Sequence, residues 1–343
     1  MRALVAHAAK DIRIEDVETP ALGEHEVLVR IRFGGVCGSD LHYYHHGGFG
    51  AVRLKQPMIL GHEIAGVVEA VGRDCRRIKP GDRVAVSPSL PCNACKYCLE
   101  GRQNQCLDMR FYGSAMRFPH VQGAFREELV CQESQAHPVP ERLSLEEAAM
   151  AEPLAVALHA VRRAGSLTGR RVLVSGSGPI GALCVLGARR AGAAEIVVTD
   201  LADSALAVAK RIGADSVLNV ASDPLALDAY KGDKGYFDVL FEASGAASAL
   251  TAGIEATRPG GVLVQLGLGG DMTIPINLIT AKELELRGSF RFHEEFALSV
   301  EFMSKGLIDV KPLLSATLPF TQANAAFELA SDRSRAMKVQ LAF

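Results

Sequence analysis

Two short stretches in the first half of the chain carry side chains that could hold a metal and move a proton. Cys37-Gly38-Ser39-Asp40-Leu41-His42 offers a thiol, a hydroxyl and an imidazole, and Gly61-His62-Glu63 sets an imidazole beside a carboxylate. A further carboxylate, Glu152, stands far along the chain in Ala151-Glu152-Pro153-Leu154. Three such ligands with one position left for water or substrate describe catalytic zinc. An ion of that kind lowers the pKa of an alcohol bound to it, so that the carbon can release hydride. Taken singly, each residue has an ordinary explanation as well. Cys37 could be a small buried hydrophobe, His62 a satisfied core histidine, and Glu63 and Glu152 solvated charges.

A denser cluster follows. Cys92-x-x-Cys95-x-x-Cys98, then Cys106 beyond a further short spacer, places thiolates on one loop, which suits the closed tetrahedral shell of structural zinc. An iron–sulfur cluster takes similar ligands, and disulfides are a third reading. A zinc ribbon gripping nucleic acid would want a basic surface, and Lys96, Arg102 and Arg110 are too few to make one. With no open ligand position, this site should brace a lobe and take no part in a reaction.

A third motif points to a dinucleotide. The apolar run Arg171-Val172-Leu173-Val174-Ser175 breaks into Gly176-Ser177-Gly178-Pro179-Ile180-Gly181, which reads as strand, tight turn, helix. Gly176 allows the turn, Gly178 lets the backbone approach a pyrophosphate, and Gly181 lets the helix press on the strand; Pro179 and Ile180 complete this cofactor-binding turn. The helix N-terminus then faces the phosphates. The next apolar run, Glu195 to Thr199, ends in Asp200, where a carboxylate accepts from a ribose 2′-OH and repels a 2′-phosphate, so NAD is favoured over NADP. Asp200 could instead cap the following helix, although Asp203 and Ser204 suit that role too.

The elements that must position these groups fall into two patterns. From Ala3 to Val71, alternating runs such as Glu26-Val27-Leu28-Val29-Arg30-Ile31-Arg32 are broken by glycines, which is β-rich and barrel-like; Lys79-Pro80-Gly81-Asp82 turns into a strand over 83–86. Helix begins near Leu145. From Arg171 to about Ser289 strands and helices alternate, with Val172, Ile196, Val217, Val239, Val262 and Leu284 each expected inside a strand of a doubly wound parallel sheet. A helix is predicted over 182–191 and another over 294–305, and the closing Met337-Lys338-Val339-Gln340-Leu341 alternates like a half-exposed strand.

With 343 residues, 48% hydrophobic and 22% charged, the chain has room for two domains of ordinary composition. A formal charge of −2 gives no bulk attraction to nucleic acid or anionic lipid. No apolar run approaches the roughly 20 residues of a membrane span, and the apolar segment after Met1 is short for a signal peptide. Eight cysteines, half of them at metal spacing, suggest a reducing, cytoplasmic compartment.

In this order, the Cys37 turn, Gly61-His62-Glu63-x-x-Gly66, the cysteine loop and the glycine turn resemble the zinc-containing medium-chain dehydrogenases over essentially the whole chain. The resemblance implies an α/β protein. A GroES-like β-rich catalytic domain, residues 1–150 completed by 291–343, would face a Rossmann NAD-binding domain with a doubly wound parallel sheet, residues 151–290. It implies catalytic zinc on Cys37 and His62, with Glu152 as third ligand and Glu63 binding directly or exchanging with Glu152 and water. Cys92, Cys95, Cys98 and Cys106 would hold structural zinc. Ser39 and His42 match the family's proton relay, and Tyr43, Tyr44, His45 and His46 follow as loop or rim residues. Gly267, Ser289 and Arg291 would join the glycine turn and Asp200 at the cofactor.

Longer segments, among them Asn93 to Cys98, Met109 to Met116, Phe118 to Val121, Glu152 to Ala160, Lys234 to Asp238 and Arg287 to Phe292, are similar to the sugar-acid and polyol branch of that family. The implied reaction is reversible oxidation of the C5 hydroxyl of L-idonate, with a neutral polyol as the alternative substrate. Tyr43, Phe111, Glu152 and Arg291 would contact it. A sugar acid carries a carboxylate that calls for a fixed cation; Arg291 is the first candidate and Arg110, Arg117 and His120 follow. A zinc-independent quinone reductase would need neither the cysteine loop nor Cys37 with His62, and a non-catalytic nucleotide-binding relative would let them drift. Relatives pair through a sheet edge near Leu284 to Arg287, so a homodimer or homotetramer is expected.

Overall fold

A computed structural model describes residues 1–343. The strand Glu26–Gly35 is its organising element in the first half. Alternation puts Val27, Val29 and Ile31 into a hydrophobic core, and both strand edges are paired. It runs antiparallel to Glu63–Val71 and, further along, to Lys338–Ala342 and Glu128–Gln132, within a seven-stranded sheet. The register sets Gly35 opposite Glu63. Cys37, just past the end of one strand, is thereby brought beside His62, just before the start of the other.

The second half contains a six-stranded sheet whose pairings are all parallel. Its order is 216–219, 195–200, 171–175, 237–242, 257–265, 285–288. Strand order reverses between Arg171–Ser175 and Phe237–Glu242, and at such a switch point the carboxyl ends of the strands part to leave a crevice. Helices cover both faces. Val172 and Val174 pack with helices Ala151–Ala164 and Pro179–Arg190, whereas Leu173 and Leu240 pack with Leu250 and Ile254 of helix Ala247–Ala256.

Several boundaries differ from expectation. The helix after the glycine turn starts at Pro179, not Ala182, because Gly178 is its N-cap and proline suits the first helical position. Leu284 falls just before the strand Glu285–Gly288. Asp200 does not cap the helix Asp203–Arg211; Ala202 stands at that position. Residues 38–46 form a helix where turn and loop were expected, with Gly47 closing it in a left-handed conformation at φ 65°. The final strand is buried on both faces: Lys338 is 2% and Gln340 0% exposed. Its polar face looks into the protein, where Gln340 Nε2 donates to Glu146 O at 2.8 Å.

The glycine turn is tight. Gly176 has φ 87°, and a Cβ on Gly181 would stand 1.8 Å from Gly176 O. Gly181→Ala should therefore lower stability by about 1–3 kcal/mol, measured as a fall in the urea midpoint. An unchanged midpoint would show that the helix can lift off the turn at little cost.

Candidate active site and metal centres

Cys37 is the N-cap of helix Gly38–His46, and the caps are built by Asp40. Fully buried, Asp40 accepts the Cys37 N–H at 3.0 Å through Oδ2 and the Gly61 N–H at 3.2 Å through Oδ1, which also lies 3.8 Å from His62 Nδ1. One carboxylate thus ties the thiol turn to the imidazole turn. Ser39 sits half-buried in the first turn, with exposed His42 one turn on.

Sulfur, imidazole nitrogen and carboxylate oxygen of Cys37, His62 and Glu63 all lie within 4.8 Å of one another. Glu152, 6% exposed in the first turn of helix Ala151–Ala164, is outside that tight group yet close enough for its charge to couple with all of them. Burial, and then the Glu63 charge, pushes the Cys37 thiol up to about 12. Burial also pushes Glu152 up to about 8, against the pull of His62 and with the help of Glu63 and Cys37. Lys338 is the nearby counter-charge: its ammonium pairs with Glu63 and donates to Val36 O at 3.0 Å.

One ammonium does not satisfy this donor set. His62 Nδ1 and Glu63 Oε1 are buried without a hydrogen-bond partner. Buried polar atoms are normally paired, and a thiol with two carboxylates out of water favours a divalent cation among them. Cys37, His62 and Glu63 or Glu152 therefore fit zinc.

The loop cysteines also suit a metal. Their sulfurs lie within 4.8 Å of one another, with Cys92 and Cys106 at 3.4 Å and Cys95 and Cys98 at 3.6 Å. Tetrahedral zinc with Zn–S of about 2.3 Å sets sulfurs roughly 3.8 Å apart, far beyond a disulfide's roughly 2.05 Å. Backbone N–H groups of Cys92, Cys95, Leu107 and Asp108 point at these sulfurs. Such donors favour thiolate, and the backbone donors of Leu107 and Cys98 help bring Cys95 down to about 6.

The nucleotide motif opens on a cleft of about 600 Å³ at the switch point. Gly176, Gly178, Pro179 and Ile180 line it, as do Asp200 and Ser244, and it reaches Cys37, Glu63 and Lys338. Gly181 is packed behind the turn. The Asp200 carboxylate accepts N–H groups from Ser177 at 2.6 Å, Leu201 at 2.7 Å and Ala202 at 2.9 Å. Gly267 and Ser289, expected at the cofactor, are not among its lining residues. Gly267 is pressed on Gly245, where a Cβ would meet the Gly245 nitrogen at 2.2 Å, and the Ser289 hydroxyl is buried without a partner.

Arg291 lies instead in a separate cavity of about 260 Å³ with Phe111, Met116 and Phe290, and one of its guanidinium nitrogens donates to Met116 Sδ at 3.0 Å. Its guanidinium carbon is 4.4 Å from the Phe111 ring centre and 4.9 Å from that of Phe290, and no carboxylate is within ion-pair range. Burial brings its pKa down to about 10. Phe111 also faces His62, with ring centres 5.5 Å apart, so this cation stands one aromatic ring away from His62. Tyr43 is turned into the core, its hydroxyl accepting the Ala115 N–H at 2.9 Å. Arg110 is exposed, Arg117 pairs with Asp108 at 2.5 Å, and His120 is held by Lys55 N and Arg117 O at 2.8 Å each.

Sequence reasoning missed Asp40 and Lys338. Asp40 was in view but had no spacing that would assign it; Lys338 was masked because alternation in its strand suggested a solvent face.

Metal analysis of the purified chain should find two zinc ions per molecule. Cys37→Ser and Cys95→Ser should each leave one, and a full complement in either variant would remove that cysteine from its proposed metal centre.

Comparison with known proteins agrees with this geometry. The family model for the alcohol dehydrogenase GroES-like domain matches residues 23–141, and that for zinc-binding dehydrogenase matches residues 179–305. The chain is 48% identical over 317 residues to the L-idonate 5-dehydrogenase (NAD(P)(+)) of Escherichia coli, covering 92% of this chain and 91% of that protein. It is 39% identical over 336 residues to human sorbitol dehydrogenase, covering 95% and 91%. The crystal structure of the E. coli L-idonate 5-dehydrogenase superposes with a TM-score of 0.96 at 45% identity, covering 100% of this chain and 98% of that one. These matches cover both halves of the chain, and the chain belongs to the zinc-containing medium-chain alcohol dehydrogenases.

Proposed function

We propose that this enzyme transfers hydride from C5 of L-idonate to NAD, giving 5-keto-D-gluconate and NADH, with release of one proton, and that it runs in both directions. The observation that carries this reading is one arrangement: the glycine turn and Asp200 line a cleft that reaches Cys37 and Glu63, and Phe111, whose ring faces His62, lines a second cavity together with Arg291, which has no ion pair. Similarity to an L-idonate 5-dehydrogenase over most of both chains supports the same substrate.

Zinc held by Cys37, His62 and Glu63 or Glu152 would make the C5 hydroxyl acidic enough for hydride to leave its carbon. The chain's own residues do the rest. Gly176 and Gly178, with Pro179 and Ile180, seat the pyrophosphate on a helix N-terminus, and Asp200 takes the ribose hydroxyls. Ser39 accepts the substrate proton and passes it toward His42, which is exposed and can hand it to water; burial, followed by the charges of His46 and Arg333, lowers the His42 pKa. Arg291, pinned between aromatic rings and free of any carboxylate, is placed to take the substrate carboxylate. Lys338 balances the Glu63 charge.

Free thiols throughout favour a reducing cytoplasm. No helix is long and apolar enough to cross a membrane. The strand Glu285–Gly288 ends the six-stranded sheet, with Leu286 exposed on it, and a second copy would add there.

Initial rates with L-idonate, sorbitol, xylitol and L-threonine decide the substrate. L-Idonate should give the highest kcat/KM; sorbitol or xylitol in first place would make this a polyol dehydrogenase, with Arg291 gripping hydroxyls. Asp200→Ala should raise the NADP/NAD ratio of kcat/KM by at least roughly tenfold, since a like charge beside the 2′-phosphate is removed. An unchanged ratio would move that discrimination to another group.

A further inference from the structure

Much of the wall around Arg291 comes from the four-cysteine loop. Asn104, Gln105, Cys106 and Leu107 line that cavity of about 260 Å³ together with Phe111 and Arg291. Asn104 sits in the single 3-10 turn Gln103–Gln105, which the Cys106 N–H closes by donating to Gln103 O at 3.0 Å. Cys106 in turn belongs to the sulfur cluster, so the turn hangs from the structural metal centre.

From this turn Asn104 Nδ2 donates to Phe290 O at 3.0 Å, spanning 186 positions of sequence. The acceptor belongs to the peptide whose nitrogen is that of Arg291. Residues 290–292 make no backbone–backbone hydrogen bond, so the Asn104 amide is the protein group that ties this stretch of main chain. The stretch needs tying. Arg291 has φ 55°, in the left-handed region that residues with a Cβ rarely adopt, and it falls between the strand Glu285–Gly288 and the helix Glu295–Ser304. Such a conformation persists only where its surroundings over-determine it, and it clusters at functional sites. At an ordinary φ the Cα–Cβ bond would leave the chain in another direction, carrying the guanidinium away from the Phe111 ring and Met116 Sδ.

We propose that Asn104 is a positioning residue for the substrate carboxylate: by holding the Phe290 carbonyl it sets the left-handed turn that aims Arg291 into the cavity, and so couples the cysteine lobe to substrate choice. The inference rests on the reading of Arg291 as the carboxylate's partner, and deepens it. A lobe that served stability alone would affect every substrate alike.

Kinetics with L-idonate and sorbitol separate the two roles. Asn104→Ala should lower the L-idonate/sorbitol ratio of kcat/KM by about fivefold or more, chiefly through KM for L-idonate, because the group that meets the carboxylate loses the hydrogen bond that fixes it. Asn104→Asp, of equal size but without the N–H, should do no less, since its carboxylate also gives Arg291 a competing partner. Calorimetric titration of L-idonate into the enzyme–NADH complex, where no turnover occurs, should show the same loss of affinity, with zinc content and the Kd for NADH retained. If Arg291→Ala lowers the ratio while both Asn104 variants keep it, or lower kcat/KM equally for the two substrates, the positioning role is overturned alone. An unchanged ratio in Arg291→Ala sinks the carboxylate reading itself, and the role of Asn104 falls with it.

Discussion

The structure depends on holding a thiol, an imidazole, carboxylates and an ammonium together out of water. An unpaired charge in such a place costs several kcal/mol, so the cluster persists only if each member has a partner. Strand register supplies the partners. Gly35 opposite Glu63 brings the Cys37 turn to His62, and the strand Lys338–Ala342, pairing beside Glu26–Gly35, delivers Lys338 to Glu63. Asp40 fixes the two turns to each other through backbone donors. The remaining orphaned atoms, His62 Nδ1 and Glu63 Oε1, mark where a cation belongs.

This arrangement makes the C-terminal segment part of the active site. It brings the last strand to Glu63, and it places Arg333 on the wall of the nucleotide cleft, opposite the turn that starts the parallel sheet. The two halves of the chain therefore share their chemistry across one crevice. Neither half contains it alone: Cys37, His62 and Glu63 come from the first sheet and the turns at its strand ends, Glu152 from the helix leading into the second, and the glycine turn from the second.

Beyond His62, the Phe111 ring leads to a second cavity that holds Arg291. A guanidinium stacked on two aromatic rings, with one nitrogen donating to Met116 Sδ at 3.0 Å, keeps its charge without a carboxylate partner. That distinguishes it from Arg117, whose donors are spent on Asp108, and from Arg110 on the surface. The difference lies in what surrounds each arginine, which no spacing along the chain expresses.

Local rules made much of this protein readable from its residues. The four-cysteine spacing, the glycine turn with Asp200 at the end of the next strand, and the alternating and continuous apolar runs each specify chemistry or secondary structure over short distances, where sequence separation and spatial separation are nearly the same. The Cys37 helix was not so readable, because its cap is a thiol supported by Asp40 and Gly61, and Gly61 is distant in sequence. Lys338 and Gln340 looked solvent-facing since alternation reports two faces but not what covers each; only tertiary packing turned the polar face inward. The tertiary structure also decided that Tyr43 serves the core and Arg291 the cavity, because burial and partner choice depend on segments that meet only when the chain has folded.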